Sequence, residues 1–140
     1  MVATLDNVRI NQLSDEGTAW LQSILTTLDA KDVDAYTGFM ADDVEVTFNN
    51  GDMTMRGRDA VSDGLAEFWQ SFGTLRHDEL NIYGTDRNLV HEARNYYTTL
   101  DGRDVTIRAV AWIDRNDDGE VMSLRIYNDQ SPLFEPHDQG

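Results

Sequence analysis

The feature that most constrains the fold is an alternating pattern in the last third of the chain, residues 88–134. Two turn signals, Asp101-Gly102 and Asp117-Asp118-Gly119, divide this stretch into three segments. Asp and Gly favour such turns because they tolerate the backbone angles that tight turns require. Within the segments apolar residues recur at every second position, which is the period of a strand with one buried face. We therefore predict three long antiparallel strands joined by two tight turns.

The two faces of these predicted strands differ in composition. The inner face is mostly apolar with a few polar interruptions, and it comprises Leu89, His91, Ala93, Asn95, Tyr97, Val105, Ile107, Ala109, Ala111, Met122, Leu124, Ile126 and Asn128. The outer face is mixed, and it comprises Glu92, Arg94, Tyr96, Arg108, Trp112, Arg125 and Tyr127. We expect the outer face to be solvated or to contact another subunit. A sheet with one apolar face needs helices to cover it.

The N-terminal half of the chain supplies three amphipathic segments for this purpose. Residues 1–13 carry no pattern and are predicted to form an arm. Helix one is capped by Ser14, and its apolar stripe is Trp20, Leu21, Ile24, Leu25 and Leu28. A short helix two is capped by Asp32 and directs inward Val33, Tyr36, Phe39 and Met40. Helix three opens at residues 57–59, stops at Gly73, and has on one side Val61, Leu65, Phe68, Trp69 and Phe72.

Three shorter strands complete the predicted order. Val44, Val46 and Phe48 alternate, residues 49–52 form a turn, and a return strand passes through Met53 and Met55. A further strand is predicted from Leu75 to Tyr83. The order is thus α-α-β-β-α-β-β-β-β, an α+β fold with a mixed, mostly antiparallel sheet. We expect one domain over residues 14–134 and a loose tail over residues 135–140.

Charge and cysteine content exclude several classes of partner. The chain has 26 acidic and 11 basic residues and a net charge of −15, so it should repel nucleic acid and anionic membranes. The absence of Cys excludes disulfides and zinc-thiolate sites and fits a cytoplasmic location. No apolar run or leader predicts a membrane span or signal peptide. We also find no metal ligand set, phosphate loop or nucleophile elbow.

Three phrases occur in this element order: LDAKDVDAYTGFMADDVEV at 28–46, RGRDAV at 56–61 and SLRIYNDQSPLF at 123–134. Over residues 14–134 the chain resembles the SnoaL-like branch of the nuclear transport factor 2-like superfamily. The resemblance implies a cone-shaped fold in which the curved sheet wraps a helix-lined pocket, and a homo-oligomer, either a dimer or a trimer. It does not decide the function, because members include isomerases, dehydratases, cyclases, epoxide hydrolases and non-catalytic binders.

Two of the family's chemistries lack their residues in this chain. The proton-moving positions of ketosteroid isomerases fall on Ile24, Phe48 and Ala111, none of which can transfer a proton. The positions that act in limonene-epoxide hydrolases fall on Asn95, Ala93, Ile126, Val46 and Phe48. We therefore expect neither mechanism.

A third family pattern fits better. Scytalone dehydratase, lindane dehydrochlorinase and bile-acid dehydratase pair an Asp at the end of helix one with a His on the strand after helix three. These positions match Asp29 and His77. His is a suitable base near neutral pH, and a carboxylate on its other ring nitrogen would fix the tautomer.

Each of these residues also has a simpler interpretation. Asp29 can merely cap the end of helix one. Strict alternation places His77 on the face opposite Ile82, so that His77 points outward unless a bulge re-aims it. His91 can reach the pocket or lie at its edge, and His137 falls in the tail, where we expect no role.

The predicted pocket is mostly apolar, which suits a hydrophobic small molecule bound without a cofactor. Its predicted binding residues are Trp20, Ile24, Tyr36, Val46, Phe48, Trp69, Asn95, Tyr97, Ile107, Ala109, Leu124 and Ile126. The first hypothesis is a cofactor-free dehydratase, isomerase or cyclase that uses Asp29 and His77 as a general acid/base pair. The second is a non-catalytic binding or accessory protein on the same fold.

Overall fold

A computed structural model describes residues 5–134 of the chain. The helices in this range are α1 (Asp15–Asp29), α2 (Val33–Thr37) and α3 (Arg58–Phe68), with a 3₁₀ turn at Ser131–Leu133. The strands are β1 (Ile10–Asn11), β2 (Met40–Phe48), β3 (Met53–Arg56), β4 (Phe72–Gly84), β5 (Asn88–Thr99), β6 (Asp104–Arg115) and β7 (Val121–Asn128). The predicted tail at 135–140, with His137, lies outside the described residues, as do the first four residues of the predicted arm.

The strands form one curved, unclosed sheet in the order β1-β4-β5-β6-β7-β2-β3. The pairs β1–β4 and β2–β7 are parallel, and the other pairs are antiparallel. The helices pack on the inner face, where they share one apolar core with the sheet. The predicted α+β fold and element order are confirmed. The additional strand β1 was missed because two residues cannot display a periodic pattern.

Both predicted helix-cap residues are confirmed, and Asp86, in the turn between β4 and β5, reinforces the first. The Ser14 hydroxyl oxygen accepts the Gly17 N–H, and the Asp32 carboxylate accepts the Ala35 N–H. The Asp86 carboxylate accepts hydrogen bonds from the Ser14 hydroxyl and the Ser14 N–H, and these bonds lower the pKa of Asp86. Gly17 leaves space for this carboxylate, because a Cβ at that position would collide with it.

Two predicted helix ends are wrong. Phe72 and Gly73 belong to β4, because α3 stops at Phe68 and the Phe72 ring packs edge-on against Tyr97 of β5. Met40 begins β2 and does not end α2, since it pairs with Val121 of β7. In both cases an apolar residue that fits the helical spacing is equally well buried in a strand, so the sequence pattern could not distinguish the end of a helix from the start of a strand.

Met122 is wrongly assigned to the inner face. It is 42% exposed, whereas its neighbour Val121 is buried. The β6–β7 register shifts between Asp114 and Arg115, so β7 has an extra residue at Met122. The other residues predicted for the inner face of β5 are buried, including His91 and Asn95.

Candidate functional site

A cavity of about 80 Å³ lies between the helices and the inner face of the sheet. This is several times the space that one ordered water requires. Its wall is predominantly apolar, with polar groups contributed mainly by β4, β5 and the end of β7. The lining residues are Ile24, Leu25, Leu28, Tyr36, Val46, Phe48, Leu65, Phe68, Trp69, Leu75, His77, His91, Ala93, Asn95, Tyr97, Ala109, Ala111, Ile113, Leu124, Ile126, Asn128 and Gln130.

Asp29 lies behind this cavity wall and is in direct contact with His77, which is part of the wall. The distance from His77 Nδ1 to Asp29 Oδ1 is 2.6 Å, and the His77 backbone N–H donates to Asp29 Oδ2 over 2.9 Å. The Asp29 side chain is fully buried and that of His77 is 8% exposed. Both carboxylate oxygens therefore hold the same residue. With Nδ1 engaged, Nε2 is the ring nitrogen left for a ligand.

A β-bulge brings His77 to the inner face. The β4–β5 register shifts between Glu79 and Asn81, so Leu80 is the extra residue on β4. His77 and Glu79 then share the buried side with Ile82 even though their spacing has opposite parity. The sequence pattern identified this ambiguity, and the bulge resolves it in favour of the inward orientation.

Lys31 ties the Asp29 segment to the strand that carries His77. Its ammonium group donates to three backbone carbonyls, those of Trp69 (2.8 Å), Phe72 (3.0 Å) and Gly73 (2.7 Å). Two of these carbonyls belong to the start of β4. Lys31 follows the end of α1 by two residues, so this contact fixes the distance between the two halves of the pair.

Two buried tyrosines supply neutral hydroxyl groups to the cavity wall. Burial raises the pKa of Tyr36 and, more than any other effect, that of Tyr97. The negative charge of Asp29 also raises the pKa of Tyr97, whereas a hydrogen bond from Asn95 lowers it. Both phenols therefore stay protonated at neutral pH and can donate hydrogen bonds. Asn95 Oδ1 is buried and, among residues 5–134, has no hydrogen-bond partner.

A second histidine–carboxylate pair was missed by the sequence analysis. The distance from His91 Nδ1 to Glu79 Oε2 is 2.9 Å, Glu79 is fully buried, and His91 borders the cavity. The sequence contained a signal for this pair, because an even spacing places Glu79 on the same face as His77 and His91 on the same face as Asn95. The pair could not be recognised without the bulge, which sets the register of β4 against β5.

Ten of the twelve predicted binding residues border the cavity, and their role in binding stays a prediction. Trp20 and Ile107 are not among the lining residues. Trp20 instead contacts Phe39 edge-on and lies under the Arg115 guanidinium, 3.9 Å from the ring centroid. Ile107 is buried in the core. Periodicity identifies the buried side of each helix or strand, but it does not show which of the buried side chains border the cavity.

Two further findings concern residues 5–134 only. No group of three or more His, Cys, Asp or Glu side chains is arranged so that it could hold a metal ion. None of the helices has the length and apolar character needed to cross a membrane.

Comparison with known proteins identifies the family. The family model for the SnoaL-like domain matches residues 21–124. The chain belongs to the SnoaL-like domain family. A search of curated proteins finds no match for this SnoaL-like domain.

Solved structures share the fold of this SnoaL-like domain at low sequence identity. TerC, crystallised with polyporic acid, has 17% identity and a TM-score of 0.72, covering 84% of this chain and 95% of TerC. An NTF2-like protein of unknown function from Burkholderia pseudomallei has 15% identity and a TM-score of 0.73, with coverage of 86% and 96%. The epoxide hydrolase/cyclase-like enzyme SalBIII, which acts in pyran ring formation in salinomycin, has 13% identity and a TM-score of 0.71, with coverage of 83% and 92%.

Proposed function

We propose that this SnoaL-like domain is a cofactor-free enzyme that acts on a hydrophobic small molecule. The reaction is of the dehydratase, isomerase or cyclase type, with His77 as general base and Asp29 as the carboxylate that orients it. The observation that carries the proposal is the 2.6 Å contact between His77 Nδ1 and Asp29 Oδ1, at the wall of an apolar cavity. A His held in this way can take a proton at Nε2.

The electrostatics of the wall support this assignment of roles. A carboxylate that accepts the Nδ1–H stabilises the imidazolium that forms when Nε2 takes a proton. Tyr97 and Asn95 lie beside the pair on β5 and offer hydrogen-bonding groups for a ligand oxygen. In an elimination the substrate C–H bond breaks, its proton moves to His77 Nε2, a double bond forms, and the leaving group departs with its electron pair.

The named relatives support a cyclic, oxygen-bearing ligand. TerC was crystallised with polyporic acid, and SalBIII takes part in pyran ring formation. At this level of identity the shared feature is the fold, so the residues of this chain carry the mechanism. We expect the domain to act as a homo-oligomer, a dimer or a trimer, which light scattering would measure.

The test is a substitution at His77 with a matched control on the same strand. The wild type would be screened with hydroxylated and epoxide-bearing ring compounds, and products would be identified by mass spectrometry. His77→Ala is expected to lower turnover at least about 100-fold. Arg76→Gln is the control, because Arg76 faces the other side of the sheet, 4.4 Å from the centroid of the Tyr96 ring. It should leave turnover within about 2-fold, because Arg76 is half-buried on the outer face and lies away from the cavity.

The alternative is a protein that binds the same kind of molecule without converting it. The two hydrogen bonds from His77 to Asp29 favour this alternative, since the same contacts would also hold a histidine with a purely structural role. If the wild type binds ring compounds but forms no product, or if His77→Ala turns over as fast as Arg76→Gln, the catalytic proposal is wrong. A binder would keep its ligand affinity in both variants.

A further inference from the structure

The second buried pair, Glu79 and His91, is not used by the proposed acid/base chemistry. Glu79 has 0% exposure, and only its Oε2 atom is engaged, by His91 Nδ1 at 2.9 Å. Its Oε1 atom has no hydrogen-bond partner among residues 5–134. A carboxylate buried in this way costs stability, and an apolar side chain would fill the position at lower cost. A few polar groups that converge on the wall of an apolar cavity are what a ligand site requires.

The engaged nitrogen of His91 leaves its other nitrogen for a ligand. Since a carboxylate can only accept, Nδ1–H donates to Glu79 and Nε2 is the remaining polar atom of the ring. A neutral ring accepts a hydroxyl hydrogen at Nε2, whereas a protonated ring donates from Nε2 to a carbonyl. In both states the partner is an oxygen function. His91 borders the same cavity as His77.

Three small side chains lie on the inner face of the sheet near the two histidines. Ala93 pairs with Ala109 across β5 and β6, and Ala111 pairs with His91. All three alanines border the cavity. His77 pairs with Asn95, which is four residues from His91 on β5, or about 13 Å along the strand. The three alanines form a patch of small side chains on the inner face of the sheet, here called the floor, beside two histidines that each contact a buried carboxylate.

We propose that His91 is a second ligand contact and that the cavity takes a flat ring compound with an oxygen function at each end. The ring lies on Ala93, Ala109 and Ala111, one oxygen meets the His77 end, and the other meets His91 Nε2. This inference rests on the proposed function, because it names the class of molecule that the same cavity would accept. It adds a specificity-determining contact that the reaction step does not require.

The experiment uses two probes that differ in one hydroxyl group, 2-naphthol and 2,6-dihydroxynaphthalene, and measures their affinities by isothermal titration calorimetry. The wild type should bind the diol at least about 5-fold more tightly, as one added hydrogen bond gives about 1 kcal/mol. His91→Gln should reduce this preference to less than about 2-fold while 2-naphthol binds as before. Glu92→Gln, at the next position and on the outer face, is the control and should keep the preference.

Two further variants guard against a loss of folding and test the floor. Glu79→Gln/His91→Leu removes the contact without leaving a buried charge, and it should also lose the preference for the diol. Ala109→Val fills the floor and should weaken both probes at least about 5-fold, because overpacking a fitted site costs at least about 1 kcal/mol. Thermal unfolding would show that each variant is folded.

The outcomes separate the two proposals. If 2-naphthol binds and His77→Gln weakens it, but the diol gains nothing in the wild type, only the inference about His91 is overturned. The same holds if His91→Gln weakens both probes equally. If neither probe binds, the inference about the ring compound and His91 is overturned, whereas the proposed function is decided separately by the turnover of His77→Ala against Arg76→Gln.

Discussion

The two histidine–carboxylate pairs, Asp29–His77 and Glu79–His91, each have one member on β4 but differ in their hydrogen bonds. Asp29 uses both of its oxygens on one residue, the backbone N–H and the ring of His77. Glu79 uses only one oxygen, on His91, and its other oxygen has no partner within residues 5–134. The first pair is fixed from two directions and suits a group that must keep one orientation. In the second pair one carboxylate oxygen lacks a hydrogen bond, which lowers the stability of the fold. A ligand contact at His91 would explain why the pair is nevertheless present.

The largest expected effect comes from Asp29→Asn. The Asn oxygen can accept the His77 backbone N–H while its amide donates to Nδ1, which moves the ring proton to Nε2. His77 then cannot accept a substrate proton, and turnover should fall at least about 100-fold. Since both hydrogen bonds are replaced, the free energy of unfolding should fall by less than about 1.5 kcal/mol. Turnover assays and urea unfolding would measure the two quantities.

The matched control for this prediction is Asp34→Asn, an exposed carboxylate in the first turn of α2. It should leave turnover unchanged and alter the free energy of unfolding by no more than about 0.5 kcal/mol. Equal turnover in Asp29→Asn and Asp34→Asn would show that Asp29 does not orient a base.

An intermediate effect is expected from Lys31→Met, which removes contacts that hold the Asp29 segment on β4. The variant removes three hydrogen bonds from the ammonium group to carbonyls near the start of β4. We expect a loss of about 2 kcal/mol in the free energy of unfolding. Displacement of Asp29 should lower turnover about 10-fold or more.

Arg56→Met is the control for Lys31→Met. The Arg56–Glu45 ion pair is exposed, with 75% and 50% of the two side chains accessible, so its loss should cost less than about 0.5 kcal/mol. If Lys31→Met is no more destabilising than Arg56→Met, Lys31 does not hold the Asp29 segment on β4.

The smallest effect is expected from Glu79→Gln. The variant replaces a buried carboxylate, whose Oε1 has no hydrogen-bond partner within residues 5–134, by an amide that can still hydrogen-bond His91. The free energy of unfolding should rise, or fall by less than about 1 kcal/mol. Urea unfolding would measure it. A loss above about 2 kcal/mol would mean that the second pair is a structural element as well satisfied as the first, which would remove the contrast between them.

The fold was predictable from the sequence because each strand of the second half repeats its alternation over many residues. The strand that carries His77 was the exception. In β4 the inner-face residues are at odd positions just before Leu80 and at even positions after it, because Leu80 is an extra residue. A pattern with a period of two cannot describe such a strand. The resemblance to dehydratases suggested Asp29 and His77 as partners, and the structure places them in contact. Glu79 was missed because its partner His91 is twelve residues away, and only the register of β4 against β5 brings them together.

The role of Asp29 in orienting His77 is tested most directly by the tautomer of His77, measured by ¹⁵N NMR of the histidine rings at a pH where they are neutral. His77→Gln would assign the signal. Because the Asp29 carboxylate accepts Nδ1–H, the wild-type ring should carry its proton on Nδ1 and leave Nε2 unprotonated, and Asp29→Asn should reverse this pattern. A proton on Nε2 in the wild type, or an identical pattern in both proteins, would contradict the claim that Asp29 orients His77 as a base.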